Sequence, residues 1–308
     1  MAKIAKAVGK TEDQTQFAAD AAKVKSAMIR EFYDKSKGAF KDSENSTHYS
    51  QHATAFALAY GVYDSPKMAK AMAHYLASQQ KIKGSVYGAY FLLDGLYNSN
   101  AGDTAVQFMN GTGLRSWDHV INDLGATIAT EAWDPSLKSN MTFSHPWGSA
   151  PASQIVRGMF GIKPLQPGFK KFQVKLQPGN IAKASLKTPT AKGTIAASYQ
   201  KANANNVYLD VTIPANTTAR VSLPQPTDRG NAKLLVDQVQ VTAKQKQGYL
   251  TVELGSGRHS LNTDLTQANQ PNDNGHTDTT GDGSGLNSNS NQDQANTEQT
   301  GQAHHELK

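Results

Sequence analysis

The hydrophobic residues of this chain change their period near Gly161. Before it, apolar side chains recur every three or four positions; after it, they alternate with polar ones. One repeat suits a backbone with 3.6 residues per turn and the other a pleated strand, so the chain is predicted to be helical first and β afterwards.

In the first part, Phe17, Ala21, Val24, Met28 and Phe32 share one helical face, expected to be buried, and Tyr49, Ala53, Phe56, Ala57 and Tyr60 share another. Ser65 as an N-cap with Pro66 at the first helical position opens a third helix, which offers Met68, Met72, Tyr75 and Leu76 for burial. Gly61 closes the helix before it. Further helices are expected over 86–97, 103–109 and 151–160, divided by Lys83-Gly84-Ser85, Asn98-Ser99-Asn100 and Asn110-Gly111-Thr112-Gly113. Antiparallel helices on loops this short pack as layered pairs or as a toroid. Pro164, Pro167 and Gly168 then make a joint. Beyond it Phe172, Val174 and Leu176, Val207, Leu209, Val211 and Ile213, Val221 and Leu223, and Leu250, Val252 and Leu254 alternate as in an antiparallel β-sandwich.

From Asp264 to Lys308 the only large aliphatic residues are Leu265, Leu286 and Leu307, so this stretch is expected to be a disordered, acidic and polar tail. Its seven acids against one lysine carry a formal charge of −6, which leaves +12 on the remainder of a chain whose total is +6. The lysines are scattered and rarely alternate with aromatics, so a solvated surface is expected and nucleic acid is not an expected partner. With no cysteine, thiolate metal sites and cysteine nucleophiles are excluded. No apolar run approaches the length of a membrane span, and residues 1–10 hold no signal-peptide core, so the chain as written is expected to stay in the cytoplasm. His48 and His52 stand one helical turn apart but lack a third ligand, so neither a metal nor a cofactor is expected.

All three tryptophans, Trp117, Trp133 and Trp147, fall within 31 residues, together with Asp118, His119, Asp123, Glu131, Asp134 and His145. Sugar rings present apolar C–H faces ringed by hydroxyls, so flat aromatic walls beside carboxylate and imidazole groups suit a carbohydrate site. A helical core with acids on its wet rim would account for the same composition.

The order of the blocks separates the two. Gly125-Ala126-Thr127-Ile128-Ala129-Thr130-Glu131-Ala132-Trp133-Asp134, then Phe143-Ser144-His145-Pro146-Trp147-Gly148-Ser149-Ala150-Pro151, closely resembles the signature region of family 78 α-L-rhamnosidases. Gly161 to Phe169 and Gln177-Pro178-Gly179 resemble that family's junction into its C-terminal sandwich. The resemblance implies the C-terminal half of an (α/α)6 barrel over 1–162, a β-sandwich over 163–263 and the tail over 264–308. It also implies hydrolysis of terminal α-L-rhamnosides with inversion. In the family's scheme Glu131 is the general base, His145 meets a substrate hydroxyl, and Trp133, Trp147 and Trp117 wall the pocket.

An inverting glycosidase needs a second carboxyl group, kept protonated, about 6.5–9.5 Å from the base. The family's acid lies upstream in an arginine-containing loop that has no counterpart here; Glu12 and Asp13 read as a helix cap, and Asp34 and Asp42 flank a turn. The chain is therefore expected to be a C-terminal part carrying the base without the acid. On its own it should be inactive and prone to associate, with a chain supplying the N-terminal half of the barrel as its possible partner. A non-catalytic carbohydrate-binding protein, or another (α/α)6 enzyme such as a sugar phosphorylase, is the alternative.

Overall fold

The computed structural model describes residues 1–265 except 204, 205, 229, 231 and 232. Beyond residue 265 the expected tail lies outside the described residues.

Helices α1 (Ala2–Ala7) and α2 (Thr11–Phe32) run into a small hairpin of β1 (Tyr33–Asp34) and β2 (Ala39–Phe40). Then come α3 (Gln51–Ala59), α4 (Pro66–Ser78), α5 (Val86–Asn98) and α6 (Gly102–Met109). A long irregular stretch, with short helical turns at His119–Asp123 and Pro146–Ser149, leads to α7 (Ala150–Gln154), which a π-helical turn prolongs over Ile155–Met159.

Three serines start helices by one device. The hydroxyls of Ser50, Ser65 and Ser85 accept the amide N–H groups of Ala53, Met68 and Gly88, donors that the first helical turn leaves free. Helix α5 is the centre of this part. Its Ala89, Leu93 and Leu96 have no exposed surface, and it packs on α3, α6 and α7.

Helix α2 departs from expectation. Its apolar stripe forms, but none of its side chains is buried and Val24 is 59% exposed; only Met28, Ile29 and Phe32 lean on the core. The helix packs chiefly on α1 and β1, neither large enough to cover it. A second uncovered surface is a ridge of rings on α3 and α5, where Phe91 lies 4.5 Å from Phe56 and 5.9 Å from Tyr60, itself 70% exposed.

The strands are β3 (Lys163–Pro164), β4 (Lys171–Lys175), β5 (Lys183–Thr190), β6 (Gly193–Lys201), β7 (Val207–Ile213), β8 (Thr218–Pro224), β9 (Lys233–Val236), β10 (Val239–Thr242), β11 (Lys244–Lys246), β12 (Tyr249–Leu254) and β13 (Gly257–Asn262). They form a six-stranded sheet in the order β10-β9-β13-β7-β6-β5 and a five-stranded one in the order β11-β12-β8-β4-β3. Every pairing is antiparallel except β4 with β8, where Phe172 lies against Ala219 and Val174 against Val221 in a parallel register. The alternation does what it predicts. Val207, Leu209, Val211 and Ile213 are buried along β7, and Leu250 opposes Leu223 across the pair β12 and β8.

The helical and β parts share one continuous core. Between them Gly161 takes φ +64°, and a Cβ there would stand 2.3 Å from the Lys175 carbonyl oxygen, so both its conformation and its neighbour require glycine. On either side the Lys175 N–H donates to the Phe160 carbonyl at 3.0 Å and the Gln177 N–H to that of Met159 at 2.7 Å.

Candidate active site

The segment 117–149 has little regular structure and is held by specific hydrogen bonds. Glu131 and Thr142 face each other across it: the Glu131 N–H donates to the Thr142 carbonyl at 2.9 Å, and the Thr142 N–H to Glu131 Oε2 at 3.2 Å. One turn of chain further on, the His145 N–H donates to the Ala129 carbonyl at 2.9 Å. Gly148 passes so close to the Thr130 carbonyl that a Cβ would come within 2.5 Å of it.

The second oxygen of Glu131, Oε1, lies 3.4 Å from Lys138 Nζ and 4.0 Å from His145 Nε2. The carboxylate is 18% exposed. Burial pushes its pKa up, but the Thr142 N–H, the Lys138 ammonium and the neighbouring His145 outweigh that and hold it below the usual glutamate value. At neutral pH Glu131 is therefore an ionised group with one oxygen held by the Thr142 N–H and the other facing Lys138 and His145, which suits it to accept a proton from water. His145 is oriented from its other nitrogen, with Nδ1 2.6 Å from Thr142 Oγ1.

The aromatic side of the site is Trp147, 61% exposed, with the His145 ring edge-on at 5.6 Å and Tyr87, from the first turn of α5, at 4.7 Å. Burial first, and then the charge of Glu131, push the Tyr87 phenol up, which ties that hydroxyl to the same site.

The structure thus brings Glu131, His145 and Trp147 together. It places Trp133 and Trp117 elsewhere. Trp133 is 1% exposed and donates its indole N–H to the Gly84 carbonyl at 2.8 Å; Trp117, also buried, packs edge to face on it at 5.1 Å and donates to the Gly148 carbonyl at 2.7 Å. Both rings are buried and form a floor beneath the chain, whereas Trp147 presents an exposed face. Each finds a backbone carbonyl for an indole N–H that would be costly to bury unpaired.

Beside the floor stands His119, with Nδ1 2.7 Å from Asp123 Oδ2 and Nε2 2.8 Å from Asp134 Oδ2. The hydrogen bonds to Asp134 and Asp123 raise its pKa against the effect of burial. Asp134, bonded by Ser136 and then by His119, is lowered to about 2. Lys138, Thr142 and Tyr87 were not among the residues expected at the site. Lys138 and Thr142 lie inside the motif region, where only the fold of the loop shows that they face Glu131, and Tyr87 arrives from a distant helix. His48 pairs with Asp42 at 2.5 Å while the His52 ring lies against Gly84, and no group of metal-binding side chains occurs among the described residues.

Residues 1–158 match the family described as bacterial alpha-L-rhamnosidase 6 hairpin glycosidase domain. The chain belongs to this family. Residues 161–234 match the bacterial alpha-L-rhamnosidase C-terminal domain. Curated rhamnosidase relatives include the alpha-L-rhamnosidase of Formosa agariphila, 27% identical over 238 residues, covering 72% of this chain and 24% of that protein. That of Alteromonas sp. is 24% identical over 234 residues, covering 72% and 25%. The chain spans about a quarter of the length of these rhamnosidases. The alpha-L-rhamnosidase from Dictyoglumus thermophilum shares the fold over 85% of this chain and 30% of its own, with TM-score 0.71 and 19% identity. The Streptomyces avermitilis alpha-L-rhamnosidase, solved with L-rhamnose, does so over 85% and 25%, with TM-score 0.69 and 20% identity.

Proposed function

We propose that the chain contributes the water-activating side of an inverting α-L-rhamnosidase site. Glu131 takes a proton from water as that water attacks the anomeric carbon, and the leaving oxygen is protonated from the opposite face of the sugar by a second carboxyl group. His145 holds a sugar hydroxyl, and Trp147 with Tyr87 offers the apolar face. The Lys138 ammonium, with His145 beside it, lowers the Glu131 pKa, which suits a base that must stay ionised. The acid is supplied by barrel hairpins that residues 1–162 do not include. In this scheme residues 1–162 are the second half of an (α/α)6 barrel and 163–263 a β-sandwich packed after it.

The observation that carries the proposal is the Glu131 carboxylate, one oxygen fixed by Thr142 and the other 4.0 Å from His145. The test is titration of the full chain with L-rhamnose, alongside hydrolysis of an aryl α-L-rhamnoside. Saturable rhamnose binding that survives Glu131→Gln and is lost in Trp147→Ala is expected, with little turnover by the chain alone. Absence of rhamnose binding would overturn the site, and brisk turnover would put the acid inside the chain. A purely sugar-binding role would show the same binding but no loss of hydrolysis on Glu131→Gln once the barrel is complete.

A further inference from the structure

A cavity of about 250 Å³ opens where the chain leaves α4 and α6, lined by Gln80, Lys81, Gln107, Asn110, Thr112 and Arg115 over a floor that includes the buried Ile82 and Phe108. Its volume is near the lower end of ligand pockets, roughly 300 Å³, which suits one small ring better than an extended ligand. The polar lining other than Arg115 is exposed. The half-buried Arg115 has no hydrogen bond or ion pair among the described residues, and the same holds for the side chains of Gln80, Gln107, Asn110 and Thr112. A guanidinium drawn partly out of water without an acceptor is an incomplete arrangement, since its five donors match a planar carboxylate. No acid lines the cavity to supply one.

The loop is also built rather than slack. Gln51, 4% exposed, clasps it from beneath, donating to the Lys81 carbonyl at 3.1 Å and accepting from the Lys83 N–H at 2.9 Å. Gln80 sits at φ +58°, in the place after a helix end that glycine usually takes, and this puts an amide side chain at the cavity where glycine would give none. Two residues past Ile82, the Gly84 carbonyl takes the indole N–H of Trp133, so this loop and the one bearing Glu131 are fastened together.

We infer that this cavity is a second saccharide subsite that accepts a uronic acid unit, its carboxylate on Arg115 and its hydroxyls on the amides of Gln80, Gln107 and Asn110. Amides serve as donor and acceptor at once, which is what a ring of hydroxyls requires, while Arg115 and Lys81 set the preference for a negative charge. The inference rests on the carbohydrate reading of the neighbouring Glu131 site, and the two are separable because they answer to different sugars and different substitutions.

The experiment titrates the full chain with a methyl glucuronide, L-rhamnose and inorganic phosphate, following the side-chain amide signals of Gln80, Gln107 and Asn110 by NMR. Saturable shifts with the glucuronide are expected, weakened at least about tenfold by Arg115→Gln, as for loss of a charge-assisted bidentate contact, and unchanged by Glu131→Gln. Phosphate should compete weakly. Because Arg115 has no partner among the described residues, its replacement should leave thermal stability intact; Gln107→Ala, on the outer face of α6, provides a second variant with the same expected direction. No response to the glucuronide, a response untouched by both substitutions, or equal affinity for phosphate would each overturn the inference. Rhamnose binding that fails while glucuronide binding persists would instead count against the Glu131 site alone.

Discussion

Thr142 Oγ1 lies 2.6 Å from His145 Nδ1, and the N–H of the same threonine bonds to Glu131. One residue therefore orients both the imidazole and the carboxylate, and the two contacts can be cut separately. Thr142→Val removes the hydroxyl and keeps the backbone donor. Rhamnose affinity is expected to fall roughly 3- to 10-fold, the worth of one net hydrogen bond, while Thr142→Ser restores it; isothermal titration checks both.

Trp133 and Trp147 should respond oppositely. Replacing Trp133 by Phe leaves the Gly84 carbonyl unpaired and opens space in a filled core, with an expected cost of about 1–3 kcal/mol or more in stability. Trp147→Ala, at an exposed ring, should scarcely move the melting temperature yet abolish sugar binding. Thermal melts and rhamnose titrations on the two variants read this directly.

The His119 clamp carries a pH signature. Its folded pKa is raised above the unfolded value of about 6.5, so its contribution is complete below that pH and is lost as pH rises through the folded value. Asp134, lowered to about 2, contributes fully above its unfolded value of about 4 and loses that contribution as pH falls toward 2. The clamp is thus strongest between about pH 4 and pH 6.5. His119→Gln should lower the melting temperature most in that window, with the gap to the parent chain closing on the alkaline side.

Lys175 presents the reverse case. Burial, and then the charge of Lys163, lower it to about 8, so holding its proton costs the folded state stability below that pH. Between about 8 and 10.4 the unfolded chain binds more protons, and stability rises with pH on this account. Lys175→Met keeps the stem that carries the ammonium over the Tyr249 ring, and removes the charge. A higher melting temperature at pH 7 is expected, with the advantage fading by about pH 10.

What the residues revealed in advance follows from which forces are local. The Ser65-Pro66 start of α4 and the alternation along β7 depend on neighbours a few positions away, and both are legible in the chain. Trp133 and Trp147 sit in similar sequence surroundings, and what separates floor from wall is a carbonyl 49 residues distant from Trp133. Tyr87 reaches the site by the same kind of long-range packing. The stripe of α2 was readable as a stripe, but burial belongs to the partner as much as to the helix. Nor does any local pattern announce that β4 runs parallel to β8.

The joint at Gly161 has a consequence for how the molecule comes apart. Phe160, just before it, packs its ring 5.3 Å from that of Tyr199 in the six-stranded sheet, and the Met159 and Phe160 carbonyls hold the chain at the end of β4. Severing the backbone there would tear a shared interior instead of freeing two modules. Heating should accordingly melt helices and strands in a single calorimetric peak.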